Sequence, residues 1–108
     1  MILIIGGLGA GKRAFAIQKL SAKEENMAQA KLDEKPIVYD LQDMDPLPQV
    51  QDLLQKEIVI CNEVGSGVVP MDRSQREHRE AVGRLCTQLA SQAQAVYRVS
   101  CGLGMRLK

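Results

Sequence analysis

The sequence predicts a three-layer α/β fold, a mainly parallel sheet covered by helices on both faces. Two observations carry this reading. Short apolar runs alternate with longer segments rich in Ala, Gln, Lys and Glu, the pattern of strand–helix–strand units. The first run, Met1 to Ile5, is apolar without alternation and ends at glycine, as a strand buried on both faces does. From Lys12 to about Leu32 there is no proline or glycine. Ile17, Leu20, Met27, Ala28 and Leu32 recur there at helical spacing, so one helix is expected. Pro36 introduces a second strand, Ile37 to Leu41, and Asp45-Pro46 can open a brief helix carrying Leu47, Val50, Leu53 and Leu54. Glu57 to Cys61 reads as a third strand, and Gly65, Ser66, Gly67 and Pro70 mark a loop. Asp72 or Ser74 caps the next helix, which runs to about Gln94 with Val82, Leu85, Cys86, Leu89 and Ala93 on one stripe. Ala95 to Ser100 is a fourth strand, and Gly102 and Gly104 loosen the tail. Right-handed crossovers gather the loops after the strands at one edge, where open sheets bind ligands. Function is therefore expected just after Ile5, Tyr39, Cys61 and Ser100.

Composition narrows the classes. The chain has 108 residues, enough for one domain, 1–108, and no second. Fourteen basic and thirteen acidic side chains leave a formal net charge of +1, without the basic excess that nucleic-acid binding draws on. Phe15, Tyr39 and Tyr97 are few aromatics for stacking on bases. No apolar run approaches the roughly 18 residues of a membrane span, and Met1 to Ile5 is too short for a signal-peptide core. A cytoplasmic protein is expected, with neither nucleic acid nor membrane as partner. Three widely spaced cysteines read as reduced, small buried hydrophobes, without a disulfide framework or zinc site. Met44, Met71 and Met105 read as core or interface fillers.

The glycine cluster carries the chemistry. Gly6-Gly7-Leu8-Gly9-Ala10-Gly11-Lys12-Arg13 contains G-x-x-x-x-G-K between an expected strand and helix, the arrangement of a phosphate loop. Glycines let successive backbone N–H groups converge on an anion. The helix N-terminus adds its positive end, and Lys12 reaches the outer phosphates. The bland alternative is a glycine-rich turn that only permits close strand–helix packing. The eighth position departs from the pattern. A Ser or Thr hydroxyl normally ligates magnesium there, whereas Arg13 has no acceptor atom. Arg13 must swing away, replace the metal's charge, or mark a site that no longer uses magnesium, and the sequence leaves that open. Asp40 and Glu63 follow the second and third strands, where a metal-water ligand or an activator of the attacking hydroxyl must stand. Either could instead be a solvated strand end.

The run Asn62-Glu63-Val64-Gly65-Ser66-Gly67-Val68-Val69-Pro70, with the glycine loop before it, closely resembles the bifunctional adenosylcobinamide kinase and adenosylcobinamide-phosphate guanylyltransferase family of cobalamin biosynthesis. The similarity continues through Arg73, Arg79, Val82, Gly83, Arg84, Leu89 and Ala90 and through Val99 to Lys108. Gly6 through Arg13 correspond to the family's Gly-Gly…Ser-Gly-Lys-Ser loop, and Tyr39-Asp40-Leu41 to its strand ending in aspartate. The resemblance implies a P-loop NTPase-like core that phosphorylates the aminopropanol arm of adenosylcobinamide and then transfers GMP through a guanylylated histidine. On it, Gly6, Gly7, Gly9, Ala10, Gly11, Lys12 and Arg13 would hold GTP or ATP, with Lys12, Asp40 and Glu63 catalytic. It also implies a cobinamide-type corrinoid partner and a homo-oligomer, a trimer.

One departure is large. The family carries its histidine nucleophile between the first helix and second strand, but Lys23 to Lys35 holds no histidine. The single histidine, His78, is in phase with Val82 and Leu85 and reads as a half-buried packing residue. The guanylyltransferase half-reaction is therefore expected to be absent. Arg73, Arg76, Arg79 and Arg84 read as a solvated face pairing with Glu77 and Glu80, or as contacts to phosphate or a corrinoid side chain. The alternative function is a non-catalytic relative that keeps the fold as a binding or assembly module.

Overall fold

The computed structural model describes residues 1–63 and 72–108. The loop expected at Gly65 to Pro70, Met71 and most of the Asn62–Pro70 run lie outside the described residues. Six strands form one sheet in the order β2-β3-β4-β1-β5-β6. The strands are β1 (Ile2–Gly6), β2 (Met27–Gln29), β3 (Ile37–Tyr39), β4 (Ile58–Asn62), β5 (Ala95–Ser100) and β6 (Leu103–Arg106). The first five run parallel, and β6 returns antiparallel against β5. β1 is central: Ile5 lies opposite both Cys61 and Arg98, and Gly6 opposite Asn62 and Val99.

Side chains alternate across the sheet and build a core on each face. Leu3, Val38, Val59, Cys61 and Val96 pack against Leu53 of α2 (Val50–Leu54) and against Val82, Leu85 and Leu89 of α3 (Arg73–Gln92). Ile4, Ile37, Ile58, Ile60 and Val99 point the other way, onto Phe15 and Ala16 of α1 (Lys12–Lys19). Helices thus cover both faces of a mainly parallel sheet, the three-layer P-loop NTPase-like architecture that the alternation predicts. Among the described residues no helix is long and apolar enough to cross a membrane.

Four expectations about elements are corrected. The first helix does not reach Leu32. It stops at Lys19, the Ala16 carbonyl accepts from both Leu20 and Ala22, and Ser21 takes a left-handed φ of 60°. Met27 and Ala28 then form β2, buried beside β3. Their spacing after Ile17 and Leu20 mimics a helical stripe, yet Ile17 and Leu32 are exposed. Pairing with a sheet neighbour outweighs the weak local preference for helix. The brief helix begins at Val50, four residues after Pro46, although Leu47 still packs on the core.

The tail, expected to be loose, forms β6. It presses so closely on α1 that a Cβ at Gly104 would overlap the Phe15 ring. The second strand ends at Tyr39 rather than Leu41, because Asp40 adopts a left-handed φ of 57° and Leu41–Asp43 form a 3-10 turn. Asp72, not Ser74, caps α3. Its carboxylate accepts from the Gln75 N–H while the Gln75 side chain accepts from the Asp72 N–H, a reciprocal capping box.

Leu89 is fully buried between α3 and the sheet. Leu89→Ala is expected to lower stability by about 2–5 kcal/mol, read as an earlier midpoint in urea unfolding with an unchanged slope.

Candidate functional site

The loop between β1 and α1 stands at the carboxyl edge of the sheet. Gly11 precedes the helix at φ 92°, and a Cβ there would lie 3.2 Å from the Gly102 Cα. Only glycine combines that left-handed backbone with such a close neighbour. The Gly102 N–H donates to the Ala10 carbonyl at 2.8 Å, so the β5–β6 turn braces the loop from behind. Amides 12–14 open the helix and have no carbonyl a turn earlier to donate to. Acidic residues are absent from this first turn, which holds Lys12 and Arg13. Two cations at the positive end of a helix disfavour it by a few tenths of a kcal/mol each or more. The arrangement suits an anion.

Lys12 is only 8% exposed. Its stem lies against Gly6, where a Cβ would come within 3.3 Å of Lys12 Cγ and Cδ. Its Nζ donates to the Gly7 carbonyl at 2.7 Å, and that carbonyl also accepts from Ala10. Burial lowers the Lys12 pKa from the ordinary lysine value, while Asp40 and then Cys61 act to raise it. Among the described residues no carboxylate pairs with Lys12 within 4.0 Å. The ammonium is therefore held by a neutral oxygen that a phosphate can replace.

Arg13 turns outward. Its guanidinium meets Glu24 at 3.1 Å and lies 4.3 Å from the centre of the Tyr39 ring. Of the three alternatives open for this residue, the structure shows it swung aside. A cleft of about 310 Å³ separates it from Lys12 and is walled by Gly9, Tyr39, Asp40 and Asn62. Asp40 stands at the end of β3, its carboxylate accepting from Gln29 at 2.9 Å and Gln42 at 3.4 Å. Gln42 also accepts from the Asn62 N–H at 2.8 Å, and its carbonyl lies 2.8 Å from His78 Nε2. The single histidine is half-buried and tethers the turn that carries Asp40.

Glu63 follows β4, with its N–H on the Gly6 carbonyl at 2.8 Å. Its carboxylate pairs with Arg98 of β5 at 3.1 Å. With the side chains 29% and 54% exposed, such a pair contributes at most about 1 kcal/mol. A second, largely apolar cleft of about 720 Å³ opens beside Glu63, lined by Ile5, Asn62, Arg84 and Cys86. Lys12, Asp40 and Glu63 thus gather around the loop, as the sequence places them.

The sequence pattern points to neither Gln29 nor Arg98. Gln29 falls within the expected first helix, whereas the structure places it in β2. Arg98 interrupts the apolar run Ala95 to Val99, and a charged residue inside a strand is the signal that marks it. Of the arginine cluster, Arg73 pairs with Glu77 at 3.0 Å on the helix surface. Cys101 is exposed with a positive φ, not a buried hydrophobe. Cys61 is buried, and the neighbouring Cys86 thiol together with burial pushes its pKa up, so it offers no thiolate nucleophile.

Known proteins resemble the chain. The sequence model described as cobinamide kinase / cobinamide phosphate guanyltransferase, CobU, matches residues 26–107. The chain is 34% identical over 85 residues to the bifunctional adenosylcobalamin biosynthesis protein CobU of Escherichia coli (strain K12), covering 70% of this chain and 47% of that protein. It is 40% identical over 53 residues to the protein of the same description from Salmonella typhimurium (strain LT2), covering 49% of this chain and 29% of that protein. The chain thus spans at most about half the length of these relatives. With its P-loop NTPase-like sheet and a family match over residues 26–107, the chain belongs to the cobinamide kinase / cobinamide phosphate guanyltransferase family.

Proposed function

We propose that the chain binds the phosphates of GTP or ATP on Gly6 to Arg13 and phosphorylates the aminopropanol hydroxyl of an adenosylcobinamide-type corrinoid, without guanylyl transfer. The observation that carries this reading is Lys12: a buried ammonium at a helix N-terminus whose one partner among the described residues is a neutral carbonyl. Amides 12–14 and Lys12 would hold the outer phosphates. Asp40 partly opposes the effect of burial on Lys12. Glu63 stands between the loop and the apolar cleft beside α3, where it would take the proton of an acceptor hydroxyl once phosphate draws Arg98 away.

Magnesium finds no protein ligand at position 13, where Arg13 offers no acceptor and is turned toward Glu24. The phosphate charge would be met by Lys12 and the helix end. Guanylyl transfer through a histidine needs a free imidazole beside the α-phosphate. The single histidine is instead tied to Gln42. A cytoplasmic trimer remains part of the proposal through the resemblance. The Glu63–Arg98 pair favours a second reading, a nucleotide-binding module without transfer.

Titration calorimetry of the folded chain with GTP and with ATP tests the reading. Micromolar heats are expected, and Lys12→Ala should weaken them about 10- to 100-fold, the worth of one charge-assisted contact. Silent titrations of the folded protein would sink the proposal. Because burial lowers the Lys12 pKa, affinity should fall on the alkaline side, below the usual lysine range, as the free protein loses the charge that phosphate requires.

Binding by the parent chain should be the same in magnesium and in EDTA. Arg13→Ser, by restoring a hydroxyl, should confer a magnesium dependence, and its absence would contradict the account of this position. Glu63→Gln separates the two readings: nucleotide affinity should persist while phosphate transfer to a cobinamide hydroxyl drops by about 10² or more. If the parent shows no transfer to lose, the module reading stands instead.

A further inference from the structure

On the far side of the glycine loop from Asp40, a larger cleft of about 1060 Å³ opens between Leu8-Gly9-Ala10 and the β5–β6 hairpin. Leu8, Leu103 and Met105 all line it, from two separate elements, and are 92%, 76% and 63% exposed. Three large apolar side chains directed into one open space mark a surface that something covers. We infer that this cleft holds the purine base of the nucleotide whose phosphates rest on the loop; the inference rests on the nucleotide-binding reading above. The loop forms one wall of the cleft, so a ligand leaving the phosphate cup on this side enters it without crossing protein.

The other way out is the cleft of about 310 Å³ beside Lys12, Arg13 and Asp40. It sits at the lower end of ligand-site sizes, whereas the cleft beside the hairpin has the room that a base and its sugar need. Ser100 and the paired Glu63 and Arg98 provide polar groups here. The wall is rigid where it matters: Gly102 is bonded to Ala10 at 2.8 Å, and Gly104 lies directly against Phe15. The backbone that carries Leu103 and Met105 is thereby tied to the glycine loop and to α1.

The chain contains no tryptophan, so Leu103→Trp places a single reporter in the cleft. Its fluorescence is expected to change with GTP or ATP and to stay constant with inorganic tripolyphosphate, which has the phosphates without a base. The exposed pair Leu103→Ala/Met105→Ala should bind GTP about tenfold more weakly and tripolyphosphate unchanged, for the apolar contact removed. Unchanged GTP affinity in that variant overturns the assignment, as does an equal loss for both ligands. A change in sedimentation with GTP affinity intact also overturns it, making the patch a subunit contact. A parent chain that binds neither GTP nor tripolyphosphate defeats the glycine-loop reading itself, whereas tripolyphosphate binding with no preference for GTP defeats only the base site.

Discussion

A buried positive charge at the positive end of a helix is the constraint on which the site depends. Lys12 is removed from water along its stem and carries its ammonium to the Gly7 carbonyl. That carbonyl satisfies one of three donors and supplies no opposite charge. Desolvation therefore works against the protonated form, and the field of Asp40 only partly opposes it. A dianionic phosphate relieves both difficulties together, by countering the ammonium and by accepting from amides at the helix end. The neighbouring glycines answer to close packing. A Cβ at Gly6 would lie 2.5 Å from the Val99 carbonyl and 3.3 Å from the lysine stem, and Gly11 turns the chain sharply into α1 while lying against Gly102.

The two carboxylates beside the loop are held by different physics. Asp40 sits in a left-handed turn among side-chain amides, with Gln42 linking it to β4 and to His78 of α3. That network fixes a negative charge near Lys12 without forming an ion pair. Glu63 is instead clasped by Arg98 across β1, in a half-exposed pair weak enough to exchange. A fixed carboxylate tunes the lysine, and a releasable one faces the apolar cleft against α3. The histidine, tied into the network on the Asp40 side, serves to hold a turn.

Family membership and loop geometry are separate lines of support. The family match begins at residue 26, after the glycine loop and α1, so it rests on the middle and end of the chain. The loop speaks through its own geometry. The two meet at Glu63, which belongs to the matched region and whose N–H is bonded to Gly6.

The sequence by itself determined the layered α/β architecture, the loop and its lysine, the three buried strands flanking it and the long capped helix. Each is written in a local pattern: an unbroken apolar run, a glycine spacing, a stripe of apolar residues at helical period. Tertiary structure decided what those patterns leave degenerate. Met27 and Ala28 fit a helical stripe as well as a strand, and only the open edge of β3 selects the strand. Leu103 to Arg106 carries too weak a signal to be read as a strand until it meets β5 and Phe15. The direction of Arg13 and the pairing of Arg98 with Glu63 likewise depend on neighbours 11 and 35 residues distant. Hydrophobic periodicity records what one segment must bury, whereas partners so far apart in the chain exist only after the sheet has brought its strands together.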